Sequence, residues 1–303
     1  MVNTDNIRQR ILSLKSEKNA LILAHYYQPL EVQDMADHVC DSFEMAKRAR
    51  DAEQQIIVIC GVVFMGESAK ILNPGKKILI PVMEAGCPMA DMVTPEDVIN
   101  LRKKHPDAAV VCYVNSSAAV KAVSDICCTS SSVLRIVRSL PEKKIIFIPD
   151  RNLGAYVARQ VPEKEIILFD GFCPTHNRVT ESDALRAKEA HPDSVFAAHP
   201  ECRQEVLAHA DFIGSTSEII NYAHNSEKKT IIIGTEQGIV ERLRRELPDK
   251  NIYSVAASFV CPNMKKTNLP ELLNCLENEQ TEIKLTDEEI AAAKQSLDRM
   301  VSI

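Results

Sequence analysis

Short apolar runs alternate along this chain with stretches in which apolar positions fall three and four residues apart. The runs are Leu21–Ala24, Gln55–Cys60, Lys77–Pro81, Ala109–Val114, Lys144–Pro149, Glu165–Phe169, Ser194–Ala198, Lys229–Gly234 and Asn251–Val255. None shows strict polar alternation, so each reads as a parallel strand covered on both faces. Strands separated by helical patterns predict an α/β fold.

The pattern repeats. Val93–Val111 (VTPEDVINLRKKHPDAAVV) matches Val179–Phe196 (VTESDALRAKEAHPDSVF), and SDICCTSSSVLRIV matches ADFIGSTSEIINYA, with ADHVCDSFEMAKRA a looser third copy. Each copy goes on to a strand, a loop with one glycine (Gly66, Gly154, Gly238) and a helix. A last strand then leads to Cys87-Pro88, Cys173-Pro174 or Cys261-Pro262. Corresponding positions recur about every 86 to 88 residues. The reading is three three-layer α/β/α units with parallel sheets: residues 1–88 with a closing tail 262–303, 89–174, and 175–261. Units of this size are marginal alone. They are expected to pack around a pseudo-threefold axis, with the active site at their common interface.

Composition removes several function classes. With 42 acidic and 36 basic residues and a net charge of −6, the chain has no basic field for nucleic acid. It contains no G-x-G fingerprint, and Gly61 and Gly66 have P-loop spacing but are followed by Glu67 instead of lysine. The N-terminal segment lacks a signal-peptide core, and no apolar run approaches the ~20 residues of a membrane span. A cytoplasmic protein without membrane attachment is expected, its ten cysteines reduced.

The repeat register sorts those cysteines. Groups at the carboxyl ends of strands in open α/β sheets gather into functional sites. One Cys-Pro loop per unit therefore brings Cys87, Cys173 and Cys261 to one point. Three thiolates suit zinc with an open fourth position, or a [4Fe-4S] cluster with one iron free. Cys40, Cys60, Cys112, Cys127, Cys128, Cys202 and Cys275 fall outside these loops and read as small buried hydrophobes. The first strands of the units end in a second equivalent set: His25, Tyr113 and His199, then Tyr27, Asn115 and Glu201. The following helices are expected to open at Ser42, Ser130 and Ser215-Thr216. A single serine there is most often just an N-cap, but hydroxyls and N–H groups beside three thiolates suit a small, multiply anionic ligand. His176 joins the Cys173 loop.

AHYYQ (24–28), GCPMADM (86–92), YVNSSAAVKA (113–122), CTSSS (128–132), GFCPTH (171–176), HPEC (199–202), GSTS (214–217) and CPNMKK (261–266) together closely resemble the quinolinate synthase family, in order along nearly the whole chain. The resemblance implies a three-unit fold and a [4Fe-4S] cluster on Cys87, Cys173 and Cys261. It also implies condensation of iminoaspartate with dihydroxyacetone phosphate to quinolinate, with loss of phosphate and two waters, in NAD biosynthesis. It makes Tyr27, Tyr113, His199 and Glu201 the proton-transfer candidates. His25, Ser42, Asn115, Ser130, His176, Ser215 and Thr216 become the groups that hold carboxylate or phosphate. An aspartate oxidase or dehydrogenase is expected to supply the unstable imine. The rival readings are another three-lobed [4Fe-4S] enzyme, a reductive dehydroxylase or diphthamide-type enzyme, and a non-enzymatic cluster sensor. A zinc or purely structural site ranks below them.

Overall fold

The computed structural model describes residues 4–303. It contains three four-stranded parallel sheets. The first has β1 (Ala20–His25), β2 (His38–Cys40), β3 (Ile56–Cys60) and β4 (Lys77–Leu79); the second has β5 (Ala108–Tyr113), β6 (Ile126–Cys128), β7 (Lys144–Ile148) and β8 (Glu165–Leu168). The third has β9 (Val195–Ala198), β10 (Phe212–Ile213), β11 (Thr230–Gly234) and β12 (Asn251–Ser254). The orders are β2-β1-β3-β4, β6-β5-β7-β8 and β10-β9-β11-β12. In each sheet the first strand of the set lies between the second and the third, so the same right-twisting unit is written three times.

All nine expected strands are present. The three unexpected ones are β2, β6 and β10, each the edge strand that follows the first crossover. At two or three residues they are too short to carry a periodic signal. Buried runs such as ALILAH in β1 and AAVVCY in β5 explain the absence of alternation, because every residue is enclosed. An aspartate precedes each of two edge strands. Asp37 accepts the Ile22 N–H at 2.8 Å and Asp211 accepts the Phe196 N–H at 2.8 Å. Lys15 and Lys188 reach these same two carboxylates.

The chain forms two compact bodies. The first comprises Met1–Pro95, Val114–Cys127 and Pro262–Ile303; the second comprises Glu96–Tyr113 and Cys128–Cys261. In the first, the tail serves the first sheet. Thr281 and Ile80 exchange backbone hydrogen bonds and the Ile283 N–H donates to the Ile78 carbonyl, which covers the β4 edge. Leu272, Cys275 and Leu276 of the Leu269–Asn278 helix pack with Ile7, Ile11 and Leu14 beneath β1. The core of the second body includes Phe196, Val206, Ile232 and Phe259.

Three local readings change. Gly66 and Gly154 are the fourth residues of the helices Val63–Leu72 and Arg151–Gln160, and Gly238 is the second residue of Gln237–Glu246, so none of the three is a loop residue. A Cβ at Gly154 would lie 2.5 Å from Leu168 Cδ2 and 2.9 Å from the Phe147 ring, so close packing on the sheet requires glycine there. Among the described residues no helix is long and apolar enough to cross a membrane.

Candidate active site

The site residues stand where the central strands end. β1 and β5 finish at His25 and Tyr113, and His199 directly follows β9. His25 and His199 repeat one local device. The His25 Nδ1 accepts the Tyr27 N–H at 3.2 Å, and the His199 Nδ1 accepts the Glu201 N–H at 3.3 Å. An Nδ1 used as acceptor leaves the proton of the neutral ring on Nε2, so both rings offer an Nε2–H donor. In the first body, the His25 and Tyr27 rings also meet edge-on at 4.6 Å.

In the second body, Glu201 is the centre of a buried network. It is 4% exposed and accepts the Tyr113 hydroxyl at 2.7 Å through Oε1. Its Oε2 lies 2.8 Å from His176 Nδ1 and 3.8 Å from His199 Nδ1. Burial alone would raise the Glu201 carboxyl, but His176, His199 and the hydrogen bonds from His176 and Tyr113 outweigh it, so the carboxylate is favoured. An ionised carboxylate only accepts, which makes His176 Nδ1 the donor. The other nitrogen, Nε2, lies 3.0 Å from the Thr235 hydroxyl. Burial pulls His199 down from 6.5 to about 3, with Glu201 opposing and His176 reinforcing the shift, so this imidazole is neutral near pH 7.

His176 also joins the network to a cysteine, its Nδ1 lying 3.2 Å from Cys173 Sγ. Cys87, Cys173 and Cys261 are the partly exposed cysteines; the other seven are buried. Burial raises the thiols of Cys40, Cys60, Cys128 and Cys202, and pushes Cys275 up to about 12. The three Cys-Pro loops share one anchor. The N–H groups of Val63, Arg151 and Gln237, at the starts of equivalent helices, donate to the carbonyls of Ala85, Gly171 and Phe259, each two residues before its cysteine. In the second body Gly171 runs so close to the strand end that a Cβ would lie 2.6 Å from the Pro149 carbonyl oxygen. By donor chemistry and access, each of these three side chains is suited to ligate a thiophilic metal, and the seven enclosed ones are not. Among the described residues, Cys173, His176 and Glu201 also place ligand atoms within 4.8 Å of one another. His176 and Glu201 already satisfy each other by hydrogen bonding, so that trio reads as a proton network touching one thiol.

A model of the quinolinate synthetase A protein family matches residues 9–302. The chain belongs to the quinolinate synthase A family. It is 49% identical over 302 residues to a quinolinate synthase of Caldicellulosiruptor saccharolyticus, covering 100% of each chain. It is 50% identical over 295 residues to one from Clostridium perfringens, covering 97% of this chain and 98% of that one. A protein named quinolinate synthase 2, from Methanosarcina acetivorans, is 50% identical over 297 residues, covering 98% and 96%.

The family's remaining expected positions divide between the bodies. Ser42 is the first residue of the Ser42–Asp51 helix, but Asp41 caps it by accepting from Phe43 and Glu44. Ser130 does not open a helix: the next one runs Val133–Ser139, and Ser130 lies in the turn before it. The Cys128–Ser132 segment tightens first, because the Ser132 hydroxyl accepts the Thr129 N–H. Ser130 instead lines a cavity of about 580 Å³ with Arg135, Arg138, Tyr156, Pro200 and Gly214. Ser215 is a true N-cap in a capping box with Glu218, and Thr216 follows it, both buried. Asn115 belongs to the first body, where its buried Oδ1 has no hydrogen-bond partner. Sequence reasoning missed Thr235, Asp150 and Glu236, all fully buried near these groups. Asp150 is raised by burial and by Glu201, against the N–H groups of Leu153 and Cys173 that it accepts. The common register of Asp150 and Glu236 directly before equivalent helices was the available signal.

Proposed function

We propose that this family member condenses iminoaspartate with dihydroxyacetone phosphate to quinolinate, releasing phosphate and two waters, with a [4Fe-4S] cluster held by Cys87, Cys173 and Cys261. The observation that carries this reading is the buried Tyr113–Glu201–His176 chain in contact with the Cys173 thiol. It pairs a proton relay with a metal ligand inside an enzyme whose relatives match end to end. When bound, the cluster supplies a Lewis-acidic iron that assists loss of hydroxide.

The protein's own groups do the rest. Condensation, isomerisation, ring closure and dehydration are proton transfers. Glu201, kept ionised, can take a proton, and Tyr113 can return one through their 2.7 Å hydrogen bond. Neutral His199 acts as an Nε2–H donor to a developing oxyanion, and Tyr27 is the fourth proton-transfer candidate. His25, Ser42, Asn115, Ser130, His176, Ser215 and Thr216 are the groups we assign to carboxylate and phosphate. Arg135 and Arg138 outnumber Glu218 in the lining of the cavity at Ser130 and leave it a net positive charge for such anions. An enzyme that oxidises aspartate must supply the imine, and a chain with ten cysteines kept as thiols suits the cytoplasm.

Glu201→Gln tests the reading. Anaerobically prepared variant should keep the iron and acid-labile sulfide of the parent while losing quinolinate formation by at least about a hundredfold. Unchanged turnover would remove Glu201 from the mechanism. A parent protein that is colourless and zinc-loaded would overturn the cluster, and one that holds the cluster without turnover would favour a sensor.

A further inference from the structure

Two of the three cysteine loops are held by a carboxylate that also caps a helix. Asp150 precedes the Arg151–Gln160 helix; its Oδ1 accepts the Leu153 N–H at 2.8 Å and its Oδ2 accepts the Cys173 N–H at 3.0 Å. Glu236 precedes the Gln237–Glu246 helix; its Oε2 accepts the Gly238 N–H at 2.7 Å and its Oε1 accepts the Cys261 N–H at 3.2 Å. Both side chains are 0% exposed. Two residues of different length, at equivalent positions, thus split their two oxygens in the same way: one to the helix, one to the cysteine. Helix capping alone needs only one of them, and any serine would serve. Burying a carboxylate is costly unless both oxygens are satisfied, so the second contact is part of the arrangement.

The first unit handles the same position differently. Val62 precedes the Val63–Leu72 helix and has no accepting side chain. The loop before Cys87 instead receives Asn263, whose Nδ2 donates to the Gly86 carbonyl at 2.7 Å, and Lys266, which donates to the Glu84 carbonyl. The anchor is therefore chosen unit by unit, which a generic feature of the repeat would not require.

We propose that Asp150 and Glu236 are positioning residues that fix the Cys173 and Cys261 loops in the conformation that binds metal. The proposal rests on the reading above that these cysteines are ligands. A ligand held by outer-shell hydrogen bonds loses little freedom on binding, and removing such a partner typically costs ten- to a hundredfold in metal affinity.

Cobalt(II), titrated anaerobically into the cluster-free full-length chain, provides the test through its thiolate-to-cobalt charge-transfer absorption. Asp150→Ala and Glu236→Ala should each weaken cobalt binding about ten- to a hundredfold. Asp150→Glu and Glu236→Asp, which restore a carboxylate, should recover most of the loss. Thr286→Ala removes a cap from the Asp287–Val301 helix, far along the chain from any cysteine loop, and should leave cobalt binding unchanged. Amide exchange at Cys173 and Cys261 should accelerate in the matching alanine variant only. If Asp150→Ala does not fold, Asp150→Asn takes its place; with one accepting oxygen for two donors, it must still weaken binding. Parent-like affinity in the Asp150 and Glu236 variants overturns the proposal, as does an equal loss in Thr286→Ala. No thiolate band in the parent chain would instead overturn the ligand assignment on which the proposal stands.

Discussion

Acid should destabilise this protein through His199, in a pH window and by an amount that the structure specifies. The ring is 2% exposed, and burial brings its pKa from 6.5 down to about 3. The unfolded chain takes up a proton here as the pH falls through about 6.5, while the folded chain resists protonation until about 3. The stability contributed by the neutral ring is therefore fully present above about pH 6.5 and is lost on acidification. The loss runs at about 1.4 kcal/mol per pH unit and reaches about 5 kcal/mol over the whole window. The measurement is urea unfolding of the cluster-free parent and of His199→Gln, in steps from about pH 7.5 to about pH 4.5. Over the two units below pH 6.5 the parent should lose about 3 kcal/mol more than the variant. Glu201 and Asp150 are present in both chains, so to first order their own titrations leave the difference. Parallel loss of stability in the two chains would refute the reasoning.

Further outcomes follow from packing and access. Iodoacetamide on the folded, reduced, cluster-free chain should label Cys87, Cys173 and Cys261 well before the other seven cysteines, read by peptide mass mapping; early labelling of Cys60 or Cys275 would contradict the burial described here. Gly171→Ala forces a methyl against the Pro149 carbonyl and should cost about 1–3 kcal/mol, with the Cys173 peptide showing the largest rise in amide exchange. Ile283→Asp places a charge where a 1% exposed side chain packs beside Gly66, and should lower stability by roughly 3 kcal/mol or more in a melting experiment; an unaltered melt would mean that the tail is not docked on the first sheet.

The legible parts of the fold were those backed by long buried runs or by repetition. IIVIC and KIIFI announce themselves as strands because no polar residue interrupts them. His38–Cys40 and Phe212–Ile213 do not, since two or three residues at a sheet edge obtain their conformation from the neighbouring strand. Glu201 could be picked out by register and resemblance, but its partner His176, and the Thr235 hydroxyl that meets the other nitrogen of His176, lie in separate segments of the chain, and only folding pairs them. Ser130 shows the opposite failure. Its register with Ser42 and Ser215 suggested a helix start, yet local hydrogen bonding between Thr129 and Ser132 delays the helix to Val133. Asp150 and Glu236 escaped notice because a capping acid is an ordinary sight, and the cysteine N–H on the second oxygen is invisible in one dimension.

The first body is assembled from both extremes of the chain, and this bears on how the protein is made. Residues up to Pro95 leave the ribosome long before Pro262–Ile303, whereas everything in the second body has been synthesised by Cys261. At about 5–20 residues per second, the interval between Pro95 and Ile283 is roughly 10–40 s. Throughout that time the β4 edge lacks Thr281–Ile283, and the Ile7–Leu14 face lacks Leu272 and Leu276. The second body can mature first, while the N-terminal sheet waits as an exposed nascent segment of the kind that chaperones hold. Vectorial synthesis thus orders the assembly, and of the three partly exposed cysteines the one supplied earliest, Cys87, belongs to the body completed last.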